Sequence, residues 1–260
     1  MTPNTRAEDR LYDDPELVQF YDLENGWGPD FDFCAGLAAE ARSLLDLGCG
    51  TGELAAGLAQ RLPSCAVTGT DPAAAMLDVA RRRPGGERVD WIEADARALD
   101  LGRRFDLIVL TGHAFQVFLT RDDQLAVLRT IARHLTPRGR FLFDSRNPAF
   151  EAWKTWGPEA SRRTLVHPAL GAVEAWNEAG QDAASGIVTY ETHYRIVESG
   201  RHLMATSQIR FTPKDELESL IAEAGLHVTR WYGDWHESPW TPEAKEIIPL
   251  GGLPQLAGGR

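Results

Sequence analysis

The fold of this chain is decided by residues 44–52, which read LLDLGCGTG. A short apolar run that ends in glycines at alternate positions is typical of a buried strand followed by a tight turn. Leucine then recurs every four residues, at Leu54, Leu58 and Leu62, which predicts a helix directly after the turn. Because a glycine turn at a helix N-terminus lets a ligand approach the backbone N–H groups, the segment predicts a binding site at the end of a strand.

Strand and helix patterns alternate outward from this segment. Between them, Pro72 suits the first turn of a helix, and Thr120 with Asp123 forms a capping box before another helical stripe. Strands separated by single helices imply parallel pairing with right-handed crossovers. We therefore expect an α/β fold with a doubly wound, seven-stranded, mostly parallel sheet. Four further apolar runs predict strands at residues 65–71, 89–95, 105–110 and 138–144.

The chain divides by pattern into four segments. Residues 1–43 are polar and aromatic and predict an N-terminal helical lid, and residues 44–149 form the α/β core. Residues 150–211 hold β patterns with no helical stripe, which predicts an antiparallel β insertion over the substrate site. Residues 212–260 return to the core with one helix and two strand candidates.

The last strand candidate contains a proline. Residues 245–250 read KEIIPL, and two glycines follow. Because proline has no N–H to donate to a β-ladder, we expect this strand to end at Ile248.

Charge and cysteine content narrow the class of protein. Lys and Arg number 27 against 38 Asp and Glu, a formal net charge of −11, which disfavours binding to nucleic acid or to an anionic membrane. No window approaches the ~20 apolar residues of a membrane span, and the first residues lack the pattern of a signal peptide. Three cysteines without CxxC spacing indicate reduced thiols. We therefore expect a cytoplasmic protein, and the pattern favours no particular oligomeric state.

Acidic residues follow the predicted strand ends. Asp71 closes the second strand, where its carboxylate can accept hydrogen bonds from ribose hydroxyls, and Asp95 closes the third. Open α/β sheets bind ligands at this carboxyl edge. A dinucleotide fold has the register G-x-G-x-x-G, whereas here the third glycine comes one residue early, as D-x-G-x-G-x-G from Asp46 to Gly52.

This register, with GTDPAAAML, IEADAR and FDLIVLTG in order after it, resembles the class I S-adenosylmethionine-dependent methyltransferases of the small-molecule type. The resemblance covers residues 40–145 and extends to 212–235. It implies a Rossmann-like methyltransferase fold that binds S-adenosyl-L-methionine and releases S-adenosyl-L-homocysteine. It also implies that the glycine loop holds the methionine end, Asp71 the ribose and Asp95 the adenine amino group. The cofactor-binding residues implied in all are Asp46, Gly48, Gly50, Gly52, Asp71, Pro72, Met76, Asp95, Ala96, Thr111 and Tyr21.

Residues that would face the methyl acceptor lie after the fourth and fifth strands and in the lid. His113 has a pKa range suited to a general base, and packing against the cofactor is its alternative role. Arg146 has the fork geometry to bind a substrate carboxylate or phosphate, and an ion pair with Asp144 or with a carboxylate of the N-terminal segment is its alternative. The substrate-binding residues predicted are Tyr12, Trp27, Gln116, Arg146 and Asn147.

We therefore expect an enzyme that moves a methyl group to an O or N nucleophile of a small molecule. An NAD(P)-dependent oxidoreductase is the alternative enzyme, disfavoured by the glycine register and by Asp95, and a non-catalytic S-adenosylmethionine-binding protein is the alternative outside enzymes. No N-P-P-Y or D-P-P-Y follows the fourth strand, which disfavours methylation of base amines. His193 and His202 flank a hairpin turn, but surface histidines on alternate strands are commoner than ligand pairs, so we expect no metal.

Overall fold

The computed structural model describes residues 9–254, so residues 1–8 of the predicted lid and residues 255–260 of the predicted C-terminal segment lie outside the described residues. The strands are, in chain order, β1 (Ser43–Leu47), β2 (Ala66–Asp71), β3 (Val89–Glu93), β4 (Phe105–Leu110), β5 (Leu135–Phe143), β6 (Ser145–Arg146), β7 (Arg163–His167), β8 (Gly171–Gln181), β9 (Ile187–Ile196), β10 (His202–Arg210), β11 (His227–Tyr232) and β12 (Glu246–Gly252).

Helices precede the first strand and connect β1 to β2, β2 to β3, β4 to β5 and β10 to β11. The α-helices of residues 9–254 are α1 (Arg10–Asp13), α2 (Pro15–Val18), α3 (Tyr21–Glu24), α4 (Pro29–Ala38), α5 (Glu53–Arg61), α6 (Ala74–Arg82), α7 (Arg121–His134) and α8 (Lys214–Glu223). Short 3-10 helices cover Gly86–Arg88, Ala114–Val117, Pro148–Phe150 and Ala152–Thr155. None of the helices in this part of the chain is long and apolar enough to cross a membrane.

The larger of two sheets has the strand order β11-β12-β5-β4-β1-β2-β3, with the two-residue β6 beside β12. Strands β1 to β5 are parallel, and β12 runs antiparallel to both of its neighbours. The predicted seven-stranded, mostly parallel sheet is therefore confirmed. All five parallel strands end at one edge, where the loops after them meet.

Helices cover both faces of this sheet because successive residues of a buried strand point to opposite sides. Leu44 packs in one buried cluster with Leu58 of α5, while Leu45 packs in another with Leu128 of α7. All four side chains are fully buried. The glycine loop between β1 and α5 is thus fixed at both ends by packed apolar residues.

The smaller sheet is antiparallel, in the order β10-β9-β8-β7. Its apolar face carries Ala175 and Tyr194 and packs against Leu17 and Phe20 of the N-terminal region. The rings of Phe20 and Tyr194 stack with centroids 4.4 Å apart. This contact holds the N-terminal helices against the smaller sheet.

The expectation that the last strand ends at Ile248 is wrong. β12 continues through Pro249 to Gly252 and lies between β11 and β5. Its pairing with β6 and β5 keeps one register but is interrupted opposite Ile248 and Pro249. On its other side Pro249 pairs with Trp231 of β11. Because proline stands where the ladder to β5 is already interrupted, its missing donor does not end the strand.

Candidate active site

The glycine loop after β1 adopts backbone angles that favour glycine. The angle φ is +77° at Gly48, +54° at Gly50 and +76° at Gly52, all in the left-handed region. A Cβ on Gly52 would also lie 2.4 Å from the Trp91 ring of β3. The loop therefore requires glycine both for its turn and for the close approach of α5 to the sheet.

Asp71 ties this loop to the end of β2. One of its carboxylate oxygens accepts the N–H of Gly50 at 2.9 Å, and the other accepts the N–H of Ala73 at 2.8 Å. The residue is buried. A carboxylate has about four acceptor sites, so these two hydrogen bonds are compatible with a further contact to a ribose hydroxyl.

The two other predicted acids have different surroundings. Asp46 is buried beneath the loop, and burial together with the nearby charge of Asp71 raises its pKa to about 7. Asp95 forms a two-pronged ion pair with Arg97, whose Nη2 lies 2.6 Å from Oδ2 of Asp95. Arg97 also contacts Asp123 at 2.9 Å. The Asp95 carboxylate is thus held by a cation that the sequence did not predict.

A cavity of about 940 Å³ is bounded by both sheets and by the N-terminal helices. A volume of this size is sufficient for a small-molecule ligand. The predicted site residues that line it are Tyr12, Tyr21, Asp46, Gly48, Gly50, Asp71, Pro72, Met76, Asp95, Ala96, Thr111, His113 and Arg146. The smaller sheet lines it with a largely polar set that includes Asn177, Tyr190, Thr192, Ser207 and Gln208. Four predicted residues are not among its described lining residues: Gly52, Trp27, Gln116 and Asn147.

The N-terminal helices cover the glycine loop. The ring of Tyr21 lies beside Gly50, where a Cβ would be 3.7 Å from the tyrosine hydroxyl. The neighbouring Asp22 accepts a hydrogen bond from the hydroxyl of Thr51 at 2.6 Å and pairs with Arg83. α3 is therefore attached to the loop by a polar contact as well as by the tyrosine ring.

His113 lies after β4, beside two carboxylates. Its Nε2 is 3.0 Å from Oε2 of Glu246 and 3.4 Å from Oδ2 of Asp144. Its backbone N–H donates to the Asp144 carboxylate at 3.1 Å. The residue has φ +61°, a left-handed conformation that costs energy in a residue other than glycine. These contacts hold the imidazole in one orientation at the cavity.

Burial separates the pKa values of this cluster. Burial lowers the pKa of His113 to about 4, raises the pKa of Glu246 to about 7, and raises the pKa of Asp144 above its usual range. Near neutral pH the imidazole is therefore uncharged, and Glu246 changes its protonation state there. The arrangement can receive a proton from a ligand in the cavity.

Sequence reasoning missed Glu246, which is 133 residues from His113 along the chain. Glu246 is the first residue of β12, and β12 pairs with β6 at the edge where β4 and β5 end. An acidic residue immediately before the last apolar strand was the signal available in the sequence.

Arg146 lines the cavity, and its guanidinium is held by Gln116, which is not among the described lining residues. Its Nη1 donates to Oε1 of Gln116 at 2.9 Å, and Nε2 of Gln116 donates to the backbone oxygen of Arg210 at 3.2 Å. The guanidinium lies 5.1 Å from the centre of the Trp156 ring. The hydrogen bond of Arg146 thus goes to Gln116 rather than to Asp144, the partner considered from the sequence.

Comparison with known proteins identifies the domain. Residues 44–139 match the methyltransferase domain family. The chain is 26% identical over 254 residues to the cypemycin N-terminal methyltransferase of a Streptomyces species, covering 93% of this chain and 97% of the relative. It is 34% identical over 146 residues to the dTDP-4-amino-2,3,4,6-tetradeoxy-D-glucose N,N-dimethyltransferase of Saccharopolyspora spinosa, covering 52% and 57%. The solved structure of the CcbJ methyltransferase from Streptomyces caelestis matches with a TM-score of 0.78, at 22% identity, over 95% of this chain and 99% of that one.

Residues 44–139 of this chain form a class I S-adenosylmethionine-dependent methyltransferase domain. The family, the fold class, the enzyme class and the cofactor predicted from the sequence are confirmed.

The cavity of the methyltransferase fits its cofactor. Carboxylates of Asp46, Asp71 and Asp95 line it, and they suit a ligand that carries a sulfonium, an ammonium and ribose hydroxyls. Gly50, whose N–H is fixed by Asp71, leaves the loop backbone without a side chain at the ligand. The chemistry of these residues is therefore compatible with S-adenosylmethionine.

Two predicted substrate residues of the methyltransferase have other partners. Trp27 stacks on the guanidinium of Arg61, 3.6 Å from its ring centre, and donates its Nε1–H to Asp32 at 2.7 Å. Asn147 donates its side-chain amide to the backbone oxygens of Pro242 and Ala244 at 2.9 and 2.8 Å. Both side chains stabilise loops, because their polar groups are satisfied by the protein itself.

Proposed function

We propose that this methyltransferase transfers the methyl group to an amine nitrogen of a small polar molecule. The observation that carries the proposal is the partly buried His113, which lines the cavity and whose Nε2 lies 3.0 Å from the Glu246 carboxylate. A base whose carboxylate partner has a pKa near 7 is far better matched to an ammonium, with a pKa of about 10, than to an alcohol. The names of two relatives, an N-terminal methyltransferase and an amino-sugar N,N-dimethyltransferase, support the same acceptor chemistry.

The chain's own residues orient the acceptor, exclude water and receive its proton. S-adenosylmethionine, when bound, supplies a methyl group on a positively charged sulfur. With Glu246 ionised, its carboxylate accepts the Nε2–H of His113, which leaves the Nδ1 lone pair as the proton acceptor. As Nδ1 takes up the proton, Nε2 passes its own proton to the Glu246 carboxylate, so the imidazole stays uncharged, in keeping with its lowered pKa. With Glu246 protonated, its O–H donates to Nε2, Nδ1 carries the hydrogen, and the imidazole no longer serves as a base.

The polar residues of the smaller sheet that line the cavity are proposed to recognise the rest of the acceptor. The hydroxyls of Tyr12 and Tyr190 lie 3.3 Å apart, and the side-chain amide of Asn177 donates to the hydroxyl of Thr192 at 2.9 Å. Together with Arg146, these groups offer both donors and acceptors to the cavity. They suit an acceptor that carries several hydroxyl or amide groups beside its amine.

The opposite side of the cavity is proposed to hold the cofactor in the way that the family resemblance implies. Asp46 and the glycine loop would bind the methionine end, Asp71 the ribose and Asp95 the adenine amino group. Tyr21 would cover the cofactor from α3, since its ring already lies beside Gly50. The remaining contacts proposed are Gly48, Gly52, Pro72, Met76, Ala96 and Thr111.

The four predicted segments are proposed to act as one unit. Residues 1–43 would be a lid and residues 150–211 a substrate-binding insertion on the core formed by 44–149 and 212–260. The free cysteines support a reducing, cytoplasmic compartment. The net charge of −11 supports an acceptor that is a small molecule rather than nucleic acid or a membrane surface.

The acceptor is tested with pairs of compounds that differ only at the nucleophile. The purified protein is incubated with S-adenosylmethionine labelled on its methyl group and with amino sugars or short peptides that have a free α-amino group. The hydroxyl analogue of each compound is the control, and mass spectrometry locates the label. We expect label on nitrogen and little on the hydroxyl analogues. Equal labelling of both members of a pair would refute the assignment to nitrogen.

The cofactor residues are tested separately by thermal unfolding. At a hundredfold excess over Kd, S-adenosylmethionine or S-adenosylhomocysteine should raise Tm by roughly 5–10 °C, and NAD should not. A shift with NAD alone would contradict the roles proposed for the glycine loop, whatever the acceptor screen finds.

A further inference from the structure

Three aromatic rings stack on the outer face of the smaller sheet, opposite its apolar face. The His193 ring is parallel to the Trp176 ring, with centroids 4.9 Å apart, and the His202 ring lies beside both, 5.2 Å from His193 and 5.4 Å from Trp176. Nδ1 of His193 lies 3.1 Å from Nε2 of His202, within hydrogen-bond distance. The side chain of His193 is only 9% exposed, and the Trp176 ring together with the contact to His202 holds it in one orientation.

The other nitrogen of His193 points toward two carboxylates. Nε2 lies 3.4 Å from Oε2 of Glu191 and 3.8 Å from Oε1 of Glu178. Within residues 9–254 this buried nitrogen has no hydrogen-bond partner. Glu178 and Glu191 stand directly opposite each other on β8 and β9, and like charges in that position destabilise a sheet. The arrangement thus combines an unsatisfied nitrogen with two unneutralised acids.

We propose that Glu178, Glu191 and His193 form a binding site for a divalent transition-metal ion of the Zn²⁺ type. When Nδ1–H of His193 donates to His202, the lone pair of Nε2 faces the two carboxylates. An ion coordinated by all three groups would pair with this lone pair and would also cancel the repulsion between the glutamates.

The spacing of the three groups suits tetrahedral coordination. With metal–ligand distances of about 2.0–2.2 Å, two ligand atoms of a tetrahedral zinc lie about 3.3–3.5 Å apart. The separation of His193 and Glu191 is 3.4 Å, and all three ligand atoms lie within 4.8 Å of one another. A mixed set of one imidazole and two carboxylates suits zinc better than calcium or magnesium, which prefer oxygen alone.

The surroundings of His193 match those of a metal-bound histidine. Such histidines usually donate their second N–H to another protein group, which fixes the tautomer, and His202 stands at that position. The carboxylates of Glu178 and Glu191 are 52% and 41% exposed, so an ion can enter from solvent. None of these four residues lines the described cavity, so the site would tie β8 to β9 without taking part in methyl transfer.

The proposal is tested with Zn²⁺ and the full chain after removal of metal with a chelator. Isothermal titration should give one zinc per chain, with roughly tenfold or more weaker binding in His193→Gln and Glu191→Gln. The matched control is His227→Gln, which removes an exposed histidine of β11 and should bind zinc as the unmodified protein does. Circular dichroism verifies that each variant is folded. If His193→Gln does not fold, Glu191→Gln alone is the test variant.

Two outcomes would overturn the proposal. The first is zinc binding that is unchanged in His193→Gln but lost in His113→Gln, which would place the ion at the His113, Asp144 and Glu246 cluster. The second concerns the Tm of Glu178→Gln compared with that of the unmodified protein. We expect the Tm of the variant to be higher without metal, because a repulsion is removed, and lower with zinc, because a ligand is lost. A Tm raised under both conditions would mean that the two glutamates only repel each other.

Discussion

Asp71 is the residue whose replacement should change cofactor binding most clearly. Its carboxylate, 8% exposed, accepts the backbone N–H groups of Gly50 and Ala73 at 2.9 and 2.8 Å. Asp71→Ala removes both hydrogen bonds and also the acceptor proposed for the ribose. A hydrogen bond to a charged group contributes about 1.5–3 kcal/mol.

For the cofactor, loss of the ribose contact should cost about 1–3 kcal/mol, which is a rise in Kd of roughly 5- to 150-fold. Titration calorimetry with S-adenosylhomocysteine measures this directly. Asp71→Asn keeps one oxygen as an acceptor and should fall between the alanine variant and the unmodified protein. Asp90→Asn is the matched control, since Asp90 is a largely exposed acid of β3 that pairs with Arg103 on the surface.

The two effects of the alanine variant are separable. Loss of the bonds to Gly50 and Ala73 lowers the free energy of unfolding, which urea denaturation without ligand reports. Loss of the ribose contact lowers affinity in protein that is still folded at the temperature of the titration. If folded Asp71→Ala binds S-adenosylhomocysteine as tightly as the control does, the carboxylate at the end of β2 does not contact the cofactor and the ribose assignment is refuted.

Three further predictions concern the stability of the protein and the covering of the glycine loop by Tyr21. Glu246 has a pKa of about 7 in the folded protein and near 4.5 in the unfolded chain, so its stabilising effect is present below pH 4.5 and is lost as pH rises through 7. Between these pH values the free energy of unfolding should fall by about 3 kcal/mol more in the unmodified protein than in Glu246→Gln, as measured by urea denaturation. Gly52→Ala should destabilise by about 2–4 kcal/mol, since its Cβ would lie 2.4 Å from Trp91 at φ +76°, whereas Gly26→Ala, with open space, should change stability little in the same assay. Tyr21→Ala should weaken S-adenosylhomocysteine binding about tenfold by uncovering the glycine loop, and equal affinity would argue against the lid.

Local signals in the sequence were sufficient for most of the fold. The alternate glycines of residues 48–52 mark a turn with three left-handed positions, and Thr120 caps α7 by accepting the N–H of Asp123, while its hydroxyl donates to the Asp123 carboxylate. Pro249 misled the prediction, because a missing donor ends a strand only where the neighbouring strand would have accepted the bond. Whether the neighbour pairs at that point is decided by register across the sheet, which the sequence of one strand does not contain.

Side chains of the site were harder to predict than strands. Trp27 is the aromatic residue type expected of a lid, yet its indole packs on Arg61 of α5 and is not among the described lining residues of the cavity. Gln116 was predicted to touch substrate and instead orients Arg146 from behind. In each case the residue type was compatible with several partners, and the choice among them depends on packing between elements distant in the chain.

The position of Glu246 follows from a general property of this sheet. Ligand sites in open α/β folds lie where parallel strands end, so a search of the sequence looks just after each strand. β12 runs antiparallel to β5, and therefore its first residue reaches the edge where β4 and β5 present their last. An acid that precedes the final strand is consequently as close to the site as one that follows a parallel strand, and Glu246 meets His113 at 3.0 Å for that reason. The same rule tells where to look in any chain of this topology: after each parallel strand, and before the antiparallel one.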